Sequence, residues 1–351
     1  MGIGLRLRAN SVEAALCGPA VLWMAGSALA LAVPAEPFFF RVMNWRICSD
    51  EEEESRLTLN QLFWWAWLAV FVGYIPCYLA FYPGLYCYDM IWQWSMFNSG
   101  VFNTHHPLVH TLLGGWLLET GRKLSGTYNG GLALYSGIQM AVLSGCIAFA
   151  LRYLAKIRIR RRLWIGALLF YILFPFFPVL GISTTKDVIF GGLLLVVFVC
   201  LCDMVTLGAV YRGRKLALFL VVSVLMGMFR NNAMYALAFT VVCFLAVSGF
   251  MLFKRKKSRF LLQITALLLG TIAGILVMQK TLEKGLDAEA GSVAEMLSIP
   301  CQQLARTYVF YGEKLSPADR EELFLYIPEQ ALDGYLYYVS DPVKAELNVD
   351  Y

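Results

Sequence analysis

The chain has 351 residues, of which 59% are hydrophobic and only 15% charged, with a mean hydropathy of +0.62. An ordinary soluble domain carries roughly 25% charged residues, so the composition excludes that class and is one built for lipid. The formal charge of +5 does not point to nucleic acid, because the basic residues sit in short loops between apolar runs.

In chain order, apolar runs at 14–33, 59–81, 131–154, 163–180, 188–205, 216–229, 233–253 and 260–278 predict membrane-crossing helices. Several reach the ~18–22 residues that a helix needs to cross the hydrocarbon layer. They define an all-α, multispanning transmembrane helical bundle. The first run follows basic residues and contains small ones, so a signal-anchor is the alternative there. Three basic clusters, RYLAKIRIRRR (152–162), YRGRK (211–215) and KRKKSR (254–259), are expected in the cytoplasm under the positive-inside rule. Two spans separate each from the next. It follows that 82–129, 181–187, 230–232 and everything after about 279 lie on the outer side. Counting backwards puts the acidic loop SDEEEESR (49–56) inside and leaves Arg6 and Arg8 outside. Either the first run does not span simply or 37–48 dips into the bilayer.

The transmembrane domain is assigned to residues 1–280, with 82–129 as its outer loop and 281–351 as an extracytoplasmic helical tail. Segment 106–120 is too short to span, and both its ends are expected outside, so it is read as a re-entrant or interfacial helix. In the tail, EMLSIPCQQLART (295–307) and SPADREELFLY (316–326) read as short amphipathic helices, the second capped by Ser316 with Pro317 at its first position. DPVKAELNVDY begins another, with Asp341 as cap, and ends after two turns with nothing obvious to pack on, which reads as truncation. Nine scattered cysteines without CxxC spacing read as small apolar core residues.

Candidate chemistry gathers in the outer segments. FYPGLYCYDMIWQW (81–94) holds one acid, Asp89, among aromatics, after a Pro83-Gly84 turn. A helix starting near Tyr88 puts Asp89 and Gln93 on one face. Asp89 is read as a functional carboxylate, with a helix cap as the plain alternative. NTHHPLVHT (103–111) holds all three histidines of the chain. With Pro107 starting a helix, His106 and His110 stack one turn apart. They serve as interfacial hydrogen-bonding groups, as a weakly supported metal pair with Asp89, or, as favoured here, as groups that orient Asp89 or bind an anionic substrate, His105 with them. In GISTTKD (181–187), Thr184 and Asp187 form a capping-box pattern. That pattern leaves Lys186 unexplained, because a cation at a helix N-terminus opposes the helix dipole. A bound phosphate would reverse that sign, drawing on the lysine and the free N–H groups together. MFRNNAMY (228–235) adds a second isolated cation, Arg230, followed by Asn231 and Asn232 as caps or ligand groups. In the tail, Gln303 and Arg306 on adjacent turns read as a solvated helix face, or, if the resemblance below holds, as groups that cover this mouth.

Taken in order, FYPGLYCYDMIWQW, NTHHPLVHT, QMAVLSG, GISTTKD, FRNN, SIPCQQLAR and YVSDPVKAEL resemble an uncharacterised group of bacterial polytopic membrane proteins thought to have the C-type (GT-C) glycosyltransferase architecture. The resemblance implies a GT-C-like bundle in the bacterial cytoplasmic membrane, with its site on the extracytoplasmic side. It implies a polyprenyl-phosphate sugar donor, a cell-envelope glycan or lipid acceptor, and no resident cofactor. Asp89 matches that architecture's essential acid, although many GT-C enzymes show paired acidic residues in that loop, whereas here Asp89 stands alone beside Tyr88. Lys186 and Arg230 match the basic residues that would hold the lipid phosphate. The alternatives are a transporter or flippase for an anionic or lipid-linked substrate, and a non-catalytic assembly subunit.

Overall fold

The computed structural model describes residues 57–253, 259–292, 294 and 297–348. The runs expected at 14–33 and 37–48 and the acidic loop 49–56 lie outside the described residues. Described residues fall into two compact units, one ending at Ala290 and the other beginning at Gly291.

The first unit is a helical bundle: α1 (Leu59–Ala80), α2 (Tyr88–Ser99), α3 (Leu108–Ser125), α4 (Tyr128–Lys156), α5 (Arg161–Leu173), α6 (Phe176–Gly181), α7 (Lys186–Leu207), α8 (Gly213–Phe229), α9 (Ala233–Phe253) and α10 (Arg259–Gly285). Five of these, α1, α4, α7, α9 and α10, are long and apolar enough to cross a membrane. The run expected at 163–180 is two helices instead of one. Phe174 precedes Pro175 and takes an extended backbone (φ −73°, ψ 114°), the conformation that proline's ring forces on its neighbour. The run at 216–229 belongs to the 17-residue α8.

Helices α4 and α7 form the centre. Their apolar faces bury Met140, Leu143, Ile147, Val188 and Val197, with α1 on one side and α8 and α10 on the other. Helix α3 lies along α4 at very short range. A Cβ on Gly131 would stand 2.2 Å from the Leu118 carbonyl oxygen, and one on Gly121 2.5 Å from that of Gly130. Only glycine allows the two backbones to touch this way.

The second unit contains α11 (Ser298–Tyr311), α12 (Pro317–Tyr326), α13 (Glu329–Asp333) and α14 (Asp341–Lys344) around Cys301, Ala305, Leu323, Ile327 and Val343. Ser316 caps α12 by accepting the Asp319 amide, 3.1 Å away, and Pro317 follows in the first turn, as the sequence indicates. Helix α14 departs from expectation. Its cap position is Ser340, one residue before Asp341, and its Val343 is fully buried, so the helix has a core to pack on.

Candidate functional site

Two loops bring the chemistry together. After Pro83, Gly84 turns the chain with φ +126°, where a Cβ would meet Ser136 Oγ at 2.1 Å. Leu85 then pairs with Ser183 in a parallel bridge: its N–H donates to the Ile182 carbonyl and its carbonyl accepts from the Thr184 N–H, both at 2.9 Å. The Thr184 hydroxyl adds two further links, accepting from the Cys87 N–H at 2.8 Å and donating to the Leu85 carbonyl at 3.1 Å. The first turns of α2 and α7 are thereby fixed side by side. Thr184 is spent on this junction, and Thr185 is the residue that caps α7, accepting from the Asp187 N–H at 3.4 Å. Likewise, the cap position of α2 is Cys87, without a side-chain bond, and Asp89 stands inside the first turn. The capping alternatives read from the sequence at Thr184 and Asp89 are both corrected.

Asp89 meets Lys186: the ammonium donates to carboxylate Oδ2, and His106 Nδ1 lies 3.5 Å from the same nitrogen. His105 stacks edge-on against His106, ring centroids 4.3 Å apart. One residue along α7, Asp187 pairs with Arg230, whose guanidinium also lies 5.5 Å from the Phe190 ring. The sequence suggested two isolated cations facing one acid. The structure gives each cation its own carboxylate, and these acids offset the charge that Lys186 places against the α7 dipole. Burial alone would raise the Asp89 carboxyl. The Lys186 hydrogen bond and charge, with His106 and His105 nearby, overrule it and hold the group below its usual range. The Lys186 side chain keeps 17% of its exposure and that of Asp89 36%, so a ligand can reach both.

Behind the pair runs a buried polar chain. His110 has no exposed surface; its Nδ1 lies 2.5 Å from the Gln93 carboxamide and its Nε2 2.7 Å from the Tyr135 hydroxyl. Tyr135 donates to Gln139 Oε1 at 2.9 Å, and Gln139 Nε2 donates to the carbonyls of Gly181 and Ser183 at 3.0 and 2.6 Å. Gly181 ends α6, so its carbonyl has no helical partner; Ser183 follows in the loop before α7, and its carbonyl also accepts from the Thr185 N–H at 2.8 Å. The donors fix the tautomer. With the Tyr135 proton on Gln139, His110 must donate from Nε2 and its Nδ1 is left as an acceptor, so the Gln93 amide, which faces it with Oε1, must exchange its O and N ends to donate from its NH2 group. The opposite amide orientation strands Gln93 Nε2 without a partner. Burial, with the charges of Lys186 and His106, lowers the His110 pKa to about 3, which keeps it neutral. The expected stacking of His106 over His110 does not form, because α3 begins at Leu108 and His106 lies before its cap, Pro107. Both His110 nitrogens are occupied, which removes the metal pair as read from the sequence. Among the described residues, no group of three or more His, Cys, Asp or Glu is placed to hold a metal ion.

Beside His106 lies a cavity of about 180 Å³ that also has Thr104, Asn231, Gln279 and Glu283 in its wall. Asn231 donates to the Thr104 carbonyl at 3.2 Å, and the 102–104 segment pairs with Glu289 beyond α10. Asn232 is exposed at the start of α9. Gln303 and Arg306 stand on α11 in the second unit, Gln303 exposed and Arg306 5.9 Å from the Phe310 ring. Tyr135, Gln139, Gln279 and Glu283 were not among the sequence candidates. Tyr135 and Gln139, four apart in an otherwise apolar run, carried a readable signal: a polar face within a spanning helix.

No curated protein and no solved structure matches the chain. A family model described as a family of unknown function (DUF6020) matches residues 97–347. Asp89 and Gln93 stand just ahead of that segment; the histidines, Lys186, Asp187 and Arg230 lie inside it. The match takes in well over half of the sequence, and the chain belongs to this family.

Proposed function

We propose that the chain is a membrane glycosyltransferase that moves a sugar from a polyprenyl-phosphate-linked donor to an extracytoplasmic glycan or lipid acceptor. The observation that carries this reading is the Asp89–Lys186 pair with His106 beside it, partly open, at one end of the spanning helix α7. Around it stand the exposed aromatics Tyr86, Tyr88 and Trp92, the residues expected where a lipid-linked substrate meets the membrane surface.

In the proposed reaction, the donor phosphate takes Lys186 and Arg230 as its counter-ions and draws the ammonium off Asp89. The freed carboxylate accepts the proton of an acceptor hydroxyl. That oxygen attacks the anomeric carbon, the bond from this carbon to the phosphate oxygen breaks, and the lipid phosphate leaves with the electron pair. Its growing charge falls on the two cations, so it needs no proton. The cavity beside His106, with Asn231, Gln279 and Glu283, supplies hydroxyl-binding groups for a sugar or polyol acceptor.

The test is transfer from a labelled polyprenyl-phosphate sugar by purified protein in lipid discs. Asp89→Asn should lower kcat by ~10²–10⁴, the range for a general base. Lys186→Met should chiefly raise the donor KM. Folded variants that both keep full transfer would refute the reading and leave the pair as a clamp between α2 and α7.

A further inference from the structure

Helix α7 is 22 residues long, about 33 Å at 1.5 Å per residue, so its far end is remote from Lys186. That end has polar chemistry of its own. Asp203, only 6% exposed on a spanning helix, accepts from the Lys156 ammonium through one oxygen and from the Tyr211 hydroxyl, 2.7 Å away, through the other. Its charge is satisfied inside the protein, and Tyr211 is pinned. The next two side chains on this side are cations. Lys215 lies 5.6 Å from the Tyr211 ring, and neither it nor Arg212 has an ion-pair partner among the described residues.

These groups border a cavity of about 550 Å³ between the α7–α8 connection and α10. Arg212, Lys215 and Gln263 supply its polar rim, and Leu207, Val210 and Tyr211 its apolar wall. The wall runs into a surface that exposes Val205, Leu207 and Leu262. Helix α8 starts here with two basic residues and no acid in its first turn and no side-chain cap, an arrangement that opposes its dipole unless an anion is present.

We infer that this cavity binds the phosphate of an anionic phospholipid from the surrounding bilayer, with Arg212 and Lys215 on the phosphate and an acyl chain along the Leu207 wall. The chemistry fits both halves of that ligand. A guanidinium and an ammonium converge on one phosphodiester, the Gln263 amide can reach its ester oxygens, and the adjoining surface is apolar. Basic pockets between helix ends at the positively flanked face are where anionic headgroups collect. A purely topogenic role for the YRGRK cluster would need its charges but no cavity. The site is separate from the proposed transfer chemistry and does not depend on it.

The experiment is native mass spectrometry of the purified chain, titrated with phosphatidylglycerol or phosphatidylcholine. Wild type should retain phosphatidylglycerol selectively. Arg212→Gln/Lys215→Gln should weaken this about 30-fold, the loss expected for two surface cations acting on one phosphate. Arg214→Gln, which removes an exposed charge of the same cluster that does not line the cavity, should retain wild-type selectivity. Equal loss in Arg214→Gln would overturn the site in favour of diffuse surface charge, and equal retention of both lipids would overturn it outright. Displacement of the lipid by inorganic phosphate alone would show that the source is a free anion and would also refute the proposal. Thermal melts in phosphatidylcholine discs verify that the double variant is folded; if it is not, Arg212→Gln alone, expected to weaken binding about fivefold, separates the same outcomes.

Discussion

Tyr135→Phe removes one oxygen atom and leaves two buried groups without their bond. The Tyr135 hydroxyl lies between His110 Nε2 at 2.7 Å and Gln139 Oε1 at 2.9 Å, and none of the three side chains is more than 1% exposed. An orphaned buried donor or acceptor costs ~1–3 kcal/mol, so two of them give a loss of ~2–4 kcal/mol after partial relaxation. Side-chain hydrogen bonds in bilayers average only ~0.6 kcal/mol, because the unfolded helices find other partners in the membrane. The larger figure applies here, since both orphaned groups, on His110 and Gln139, stay buried. Tyr78→Phe is the control: its hydroxyl makes a single 3.2 Å bond to the Ala133 carbonyl in a half-buried position, worth ~1 kcal/mol or less. Equilibrium unfolding in mixed micelles, followed by tryptophan fluorescence, compares the two. The loss in Tyr135→Phe should come with faster amide exchange at Ser183 and Thr184, because Gln139 holds the loop that carries them. A Tyr135→Phe loss within ~0.5 kcal/mol of the control would refute the buried hydrogen-bond chain.

Acid should destabilise the fold in two steps. His110 stays neutral in the folded state down to about pH 3, while its unfolded ring gains a proton below ~6.5. Stability is therefore complete above that value and falls with pH between 6.5 and 3, by up to ~1.4 kcal/mol per unit. Thermal melts of His110→Gln should lose this slope, and an unchanged slope would contradict the assignment. Asp89 has the same sign in a lower window: its contribution is present above ~3.9 and is lost as pH falls through its depressed folded value. Gly131→Ala should cost at least ~2 kcal/mol or abolish the fold, since its Cβ meets backbone at 2.2 Å. Gly137→Ala on the same helix, with nothing within 4 Å, should be neutral. Equal melting temperatures for these two would disprove the close α3–α4 contact. In double-mutant cycles the Asp187–Arg230 pair, with side chains 47% and 38% exposed, should couple by ~0–1 kcal/mol. The less exposed Asp89–Lys186 pair should exceed it, and the reverse order would be evidence against the described burial.

Spans and turns were legible because their signals are local. Length and apolarity delimit α1, α7 and α9, Pro83-Gly84 marks the exit from α1, and Ser316-Pro317 starts α12. The break at Pro175 was legible too, since the residue before a proline avoids the helical backbone, but the apolar run on either side outweighed it. The convergence of Asp89 with Lys186 came from placing both at helix starts on one face. What local signals do not contain is which side chains face each other. Asp187 reads as a capping acid until Arg230 arrives from 43 residues away. His110 reads as a surface ligand until Gln93 and Tyr135 enclose it. Gln279 and Glu283 fall just past the apolar run 260–278 and carry no local signal, yet they wall the cavity because the 102–104 loop folds back onto the end of α10.

The closed ion pairs bear on how such a site would work. An acid already bound to a lysine is a poor base, since its lone pairs are occupied and its pKa is depressed, so catalysis by Asp89 requires Lys186 to be drawn away. The energetics permit this. Partly exposed pairs contribute ~1 kcal/mol or less, whereas a phosphate accepting from both Lys186 and Arg230 gains two charge-assisted bonds at once. A donor phosphate would then release the base by the same contacts that bind it, and without donor the base would stay capped. Inorganic phosphate or a sugarless polyprenyl phosphate should therefore raise the reactivity of Asp89 toward a carbodiimide, while Lys186→Met should make it reactive without either. If added phosphate protects Asp89 instead, the anion does not compete for Lys186, and the pair is a fixed clamp between α2 and α7.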